Sequence, residues 1–353
     1  MLAKYRYLQS VFILLSVVAS NSFAGGWEQV TELPISRFGN AAAAVDGRIY
    51  IIGGYDRQKN LGGRAPALSI VDVYDTQTNT WHTVANMPTP RVDVRTAVFS
   101  NEIYVFGGYD RKGPRGTRRN KKTVEMYDTR TDAWVKKRDM PSFRIYFTTV
   151  VVDGKIYVIG GKVEGPFNPK SINLVEIYDP LTNTWEKRAD MPTARALTDA
   201  VVVDDKVYVL GGQKTWMALN IPGLFVRSIE EYNPKTDTWR QLPEMSMFKG
   251  WFSTVAVDNE IYTIGGINNE IKHTGDVDVY NPITNKWRKV EPMTFVRTTM
   301  PVVVKGTIYV LGGIQAGPKF SPIVEAYDTG FRAVTAKGKL STNWGKLKAE
   351  NQK

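Results

Sequence analysis

A chain of 353 residues with 42% hydrophobic and 23% charged residues carries enough apolar material for a large core or two domains. It has no Cys and only two His, His82 and His273. That excludes a disulfide framework, a thiolate nucleophile and Cys-bound metal, and it nearly excludes an imidazole-built centre, so neither metal nor cofactor is expected. The 30 Gly, 9 Trp and 17 Tyr point to many tight turns and stacked rings, and the formal net charge is +11.

At the N-terminus, Lys4 and Arg6 precede the apolar run Val11 to Ala19, and Ser22 and Ala24 place small residues two apart. This pattern predicts a secretory signal over residues 1–24, with an uncleaved anchor as the alternative. The apolar run is short for a bilayer span, and no transmembrane segment is expected after cleavage. A Cys-free exported chain suggests a bacterial protein, periplasmic or secreted.

From Trp27 onward the chain repeats itself. Gly-Gly pairs stand at 53–54, 107–108, 160–161, 211–212, 265–266 and 312–313, spaced 47 to 54 residues apart. Such a period signals a propeller or an array. Each pair ends an apolar run with a Tyr three residues before it (Tyr50, Tyr104, Tyr157, Tyr208, Tyr262, Tyr309). A turn dipeptide such as Asp46-Gly47 or Asp153-Gly154 and a further apolar run precede it, which reads as a β-hairpin. A third strand follows as "VDVYD", "VEMYD", "VEIYD", "IEEYN", "VDVYN" and "VEAYD". Seven residues after its Tyr a Trp opens a fourth strand at Trp81, Trp134, Trp185, Trp239 and Trp287. A Met, often with Pro, then leads to a basic residue and the next unit. Four strands in each of six units predict an all-β, six-bladed β-propeller over residues 25–330.

The sixth unit has Val334 where the Trp belongs, while Trp27, Leu33-Pro34 and Arg37 at the start show the missing offsets. The N-terminal strand is therefore expected to complete the last blade beside Val324 to Tyr327, with Trp344 as a rival at the wrong spacing. Closing the ring removes exposed sheet edges.

The six Gly-Gly pairs, the Tyr and Trp at fixed offsets and the "MPxxR" linker resemble the kelch-repeat family over about Trp27 to Asp328. The resemblance implies ligand binding on the face built by the linkers and by the loops from Gly-Gly to the third strand. In some kelch domains arginines on that face hold carboxylates. It also brings to mind exported sialic-acid mutarotases of the same fold, which implies a carbohydrate mutarotase or epimerase as the alternative to a binding protein. The copper site of kelch-bearing galactose oxidase cannot be built without Cys.

On that face the loop Tyr109 to Lys122 holds Arg111, Lys112, Arg115, Arg118, Arg119, Lys121 and Lys122 against Asp110. The basic tail, 331–353, has six cations against Glu350. The positive charge is thus local, and it would concentrate an anionic glycan or an acidic protein segment, with nucleic acid not expected of an exported protein. A solvated, purely solubilising loop is the competing reading. A ring of linker cations, Arg37, Arg91, Arg144, Arg195, Lys249 and Arg297, is the second candidate, with Tyr55, Tyr109, Trp216 and Trp251 as aromatic contacts beside it. The forked guanidinium suits carboxylates, although cations repeated in every unit can equally brace the linkers. The basic tail could dock the protein on an envelope surface. Asp56, Asp110, Glu164, Glu270 and His273 are the only loop acids or bases singled out, and no catalytic set is assigned among them.

Overall fold

The computed structural model describes residues 25–56, 65–111, 118–163, 170–214, 225–268, 270, 272–315 and 320–331. The predicted signal, nearly all of the basic tail, Trp344 and Trp216 lie outside them. Six four-stranded antiparallel sheets form the blades, each in simple sequence order except the last, which joins both chain ends. Blade 1 comprises Arg37–Val45, Arg48–Asp56, Val71–Asp75 and Thr80–Val84, and blades 2 to 5 repeat that order. Blade 6 comprises Thr298–Val304, Thr307–Ile314, Phe320–Asp328 and, as its outer strand, Trp27–Glu32.

The closure follows the expected register, with Trp27 opposite Tyr327 and Glu32 opposite Ile323. Every blade stacks its third-strand Tyr on its fourth-strand Trp. Ring centroids are 5.0 Å apart for Tyr74–Trp81, 5.1 Å for Tyr127–Trp134 and 5.1 Å for Trp27–Tyr327. The Tyr also closes its own blade, donating to the turn residue five positions on, as from Tyr127 to Asp132 at 2.7 Å and from Tyr178 to Asn183 at 2.7 Å. Those turn residues adopt a left-handed backbone, which Asn and Asp tolerate best among non-glycines.

Blades are buried against each other by the middle strands. Ile49, Ile51, Ile103, Val105, Ile156, Val158, Val207 and Val209 are all fully buried, because a sheet between two others has apolar residues on both sides of its pleat. The outer strands are stitched by the Trp indoles, which donate to the preceding blade: Trp134 to Ala85 O, Trp185 to Arg138 O and Trp239 to Ala189 O, at 2.8, 3.1 and 2.9 Å. Trp287 is the exception, since its indole N–H has no partner. The matching carbonyl belongs to Pro243, whose ring also removes the N–H that Ala85, Arg138 and Ala189 donate to the next blade's turn.

The Gly-Gly pairs are explained by the same seams. Gly53 and Gly54 both have positive φ, and the Gly54 N–H donates to Arg91 O of the next blade at 2.9 Å. A Cβ on Gly53 would lie 2.7 Å from that same carbonyl. Only glycine meets both demands.

Candidate binding site at the channel mouth

The linker cations come first because they start the channel-lining strands. The side chains of Arg37, Arg91, Arg144, Arg195 and Arg297 are completely buried and that of Lys249 nearly so. Each pairs with the acid two residues before the Tyr of its own third strand. Arg91–Glu125 and Arg195–Glu230 are 2.8 Å apart and Arg297–Glu325 2.6 Å, while Arg37, Arg144 and Lys249 close on Asp72, Glu176 and Asp278. The forks also hold carbonyls: Arg91 Nη1 donates to Gly107 O at 2.8 Å and Thr123 O at 3.0 Å, and Arg195 Nη1 to Gly211 O and Ser228 O. Burial pulls the Arg37 and Arg297 guanidinium groups down to about 10, with the charges of Asp56 and Glu325 opposing that shift, so both stay cationic at neutral pH. The expectation that these six cations contact a ligand is therefore corrected. Their charges are paired inside the blades, where their terminal nitrogens brace the linker and the Gly-Gly end of the second strand.

Tyr55 and Tyr109 need the same correction. Both are buried, Tyr55 edge-on to Phe38 and Phe320 with centroids 5.8 and 6.1 Å away, in an apolar layer shared with Ala65, Val92 and Ile145.

The side chains that do reach the channel come two residues after each cation. There Gly39, Asp93, Tyr146, Leu197 and Trp251 all have φ between 53° and 66°, a region that costs an ordinary residue about 1–2 kcal/mol. Gly39 is obligatory, since a Cβ would meet Val92 at 2.4 Å. The other four place dissimilar side chains around one opening. Adjacent members are tied by backbone bonds, Asp93 N–H to Gly39 O at 2.7 Å and Leu197 N–H to Tyr146 O at 3.0 Å. The left-handed backbone recurs in five blades and so belongs to the repeat, while the side chain it presents to the opening differs at each.

These residues line a cavity of about 100 Å³, floored by the first strands. Its next layer consists of the residues that pair opposite the one preceding each Gly-Gly: Arg95, Asp199, Ser253 and Met300 face the cavity from blades 2, 4, 5 and 6. Asp199 ties three blades together. It accepts from Thr148 Oγ1 at 2.9 Å, from the Thr254 N–H at 2.7 Å and from the Ala200 N–H at 3.0 Å. Burial pushes its carboxyl up, against the pull of those bonds and of Arg95. The wall at blades 3 to 5 is apolar (Tyr146, Leu197, Trp251, Phe252), whereas blades 1 and 2 present Asn40, Asp93 and Arg95. Composition alone did not reveal Arg95 and Asp199. The stretch just past each linker cation varies between units, and nothing in it sets these two residues apart.

The basic loop begins on the same face. Its ends form a two-stranded ribbon, Tyr109–Arg111 with Arg118–Asn120. Arg119 is exposed, Lys121 pairs with Asp110 at 3.0 Å, and Lys122 Nζ lies 4.9 Å over the ring of Phe143, which is 54% exposed. Lys112 and Arg115 lie outside the described residues, as does Glu164. His273 is half-buried in a short bridge with Ile267, and burial lowers its pKa. Among the described residues no group of three His, Asp or Glu is arranged to hold a metal ion.

A closed ring of six four-stranded blades defines a six-bladed β-propeller. A profile described as "KLHDC2/KLHL20/DRC7 Kelch-repeats domain" matches residues 39–266, and a kelch-motif profile matches 252–294. The chain belongs to the kelch-repeat family. It is 32% identical to beta-scruin of Limulus polyphemus over 69% of its own length and 26% of that protein. It is 28% identical to Kelch-like protein 36 of Mus musculus over 69% of its length and 38% of that protein. The chain thus spans well under half of these relatives. A solved structure titled "Structure of YjhT" superposes with a TM-score of 0.69 at 19% identity, covering 83% of this chain and 95% of that one, a likeness of fold.

Proposed function

We propose that this propeller is a binding module whose loop face recognises an anionic partner, an acidic protein segment or an acidic glycan. The observation that carries this reading is the division of labour among cations. Six linker cations are neutralised inside the blades, while Arg119 and Lys122, beside exposed Phe143, remain at the surface. They belong to a loop carrying seven cations against one acid. Unpaired surface charge of one sign steers an oppositely charged partner, and an exposed aromatic beside it supplies apolar contact. A binding role agrees with membership of the kelch-repeat family, whose propellers typically serve as protein-interaction scaffolds. Export by the 1–24 segment, to the periplasm or the medium, is part of the same reading, and the basic tail would strengthen contact with an anionic envelope surface.

Binding of polyglutamate, an acidic glycan and a neutral glycan across a salt series tests it. Selective binding of the acidic probes, weakening as salt rises, is expected. Equal binding of the neutral glycan, or affinity independent of salt, would overturn it.

A further inference from the structure

The channel cavity is chemically distinct from the basic rim above it. Among the described residues Arg95 makes a single hydrogen bond, Nη1 to Val94 O at 3.1 Å, and no ion pair. The other cation lining the cavity, Arg37, is committed to Asp72. Arg95 therefore offers an open guanidinium fork at the wall of the channel mouth, where a carboxylate is the best-matched occupant. Asp199, in the same layer two blades away, has its Oδ2 bonded only to the Thr254 N–H, which leaves lone-pair capacity facing the channel. Asp93 adds a second acid to the lining.

This charge pattern discriminates between ligand classes. A simple anion would meet Arg95 but also two carboxylates, and a simple cation would be opposed by Arg95. A molecule carrying both charges a few bonds apart satisfies both ends. Between those ends stands the apolar wall of Tyr146, Leu197 and Trp251, held there by strained backbone. A volume of about 100 Å³ suits a compact molecule rather than a folded peptide. We propose that the cavity binds a small zwitterion of the α-amino-acid class with an apolar side chain, its carboxylate on Arg95, its ammonium on Asp199 and its side chain against Trp251, Tyr146 and Leu197.

The test is calorimetric titration of the full chain with L-leucine, leucinamide, N-acetyl-L-leucine and glycine. Leucinamide lacks the carboxylate, N-acetyl-L-leucine lacks the ammonium, and glycine lacks the apolar group. Saturable binding of leucine is expected, with each of the other three at least tenfold weaker. Arg95→Gln should erase the difference between leucine and leucinamide, and Asp199→Asn that between leucine and N-acetyl-L-leucine, with thermal unfolding run alongside to confirm folding. The wild-type panel decides the matter even if a variant fails to fold. No saturable binding of leucine, or equal binding of all four probes, overturns the proposal. Because the probes are small and the rim binds polymers, failure here leaves the loop-face reading standing.

Discussion

Trp27 stacks on Tyr327 with ring centroids 5.1 Å apart, so the strand Trp27–Glu32 completes the last blade. The Trp27 indole donates to Glu291 O of blade 5 at 2.9 Å, as the Trp134, Trp185 and Trp239 indoles do to carbonyls of the blades before theirs. The closing strand is thus equivalent to the fourth strand of any other blade.

Trp27→Ala should therefore cost about 2 kcal/mol, comparable to Trp134→Ala in blade 2, since both rings are half-buried against a Tyr and lose one hydrogen bond. Urea denaturation of the two variants checks this. A Trp27→Ala protein as stable as the wild type, beside a weakened Trp134→Ala protein, would mean that the N-terminal strand does not close the ring.

The buried ion pairs make a sharper prediction. Arg144→Ala strands Glu176 in an interior where both side chains are almost wholly excluded from water, and such losses cost about 3–5 kcal/mol. The double replacement Arg144→Met with Glu176→Leu should recover much of that loss, because two apolar groups leave no charge stranded. Denaturant midpoints for the singles and the double measure it. Lys249 already shows that a cation without a fork is tolerated in blade 5, so Arg144→Lys should cost less than Arg144→Ala.

At the seam between blades 4 and 5, the Trp287 indole N–H has no acceptor. Its exchange with solvent should be faster than that of the Trp134 and Trp239 indoles, which donate at 2.8 and 2.9 Å. Hydrogen exchange followed by indole NMR signals reads this directly. Pro243→Ala should slow the Trp287 exchange by restoring a backbone N–H that can donate to the Asn285 turn, as Ala85, Arg138 and Ala189 do at the other seams, and so draw the residue-243 carbonyl toward the indole.

Asp199 governs one part of the acid response. Its folded pKa is raised above the ordinary 3.8, so the native state holds this proton more tightly than the unfolded chain does. The sign follows: its contribution is most favourable at low pH and is lost as pH rises from about 4 through the raised value. The stability of the wild type relative to Asp199→Asn should therefore be greater at pH 4 than at pH 7. Denaturation at the two pH values tests this, and a gap that widens toward neutrality would contradict it.

The blade plan was legible because six copies hold Gly-Gly, Tyr and Trp at fixed offsets, and each offset is a packing requirement. The fate of the linker cations was less visible. A cation alone does not say which way it points, yet its partner was present in every unit, as the acid two residues before each third-strand Tyr (Asp72, Glu125, Glu176, Glu230, Asp278, Glu325). A cation and an acid that recur with the same period mark a pair internal to the blade. Tyr55 and Tyr109 were misplaced for a related reason, since an aromatic residue just past Gly-Gly is drawn under the loops by Phe38, Phe320 and Val92. Arg95 and Asp199 stood hidden in strands that otherwise read as repeat, and only their meeting at the channel sets them apart.

The most direct test of the binding account compares the wild type with a variant in which Arg119, Lys121 and Lys122 are all replaced by Gln, titrated with polyglutamate at several salt concentrations. Exposed charges are screened over roughly 8 Å at 0.15 M salt, so the variant should bind at least tenfold more weakly at low salt and show a flatter salt dependence. An unchanged affinity and an unchanged salt dependence in that variant would contradict the account.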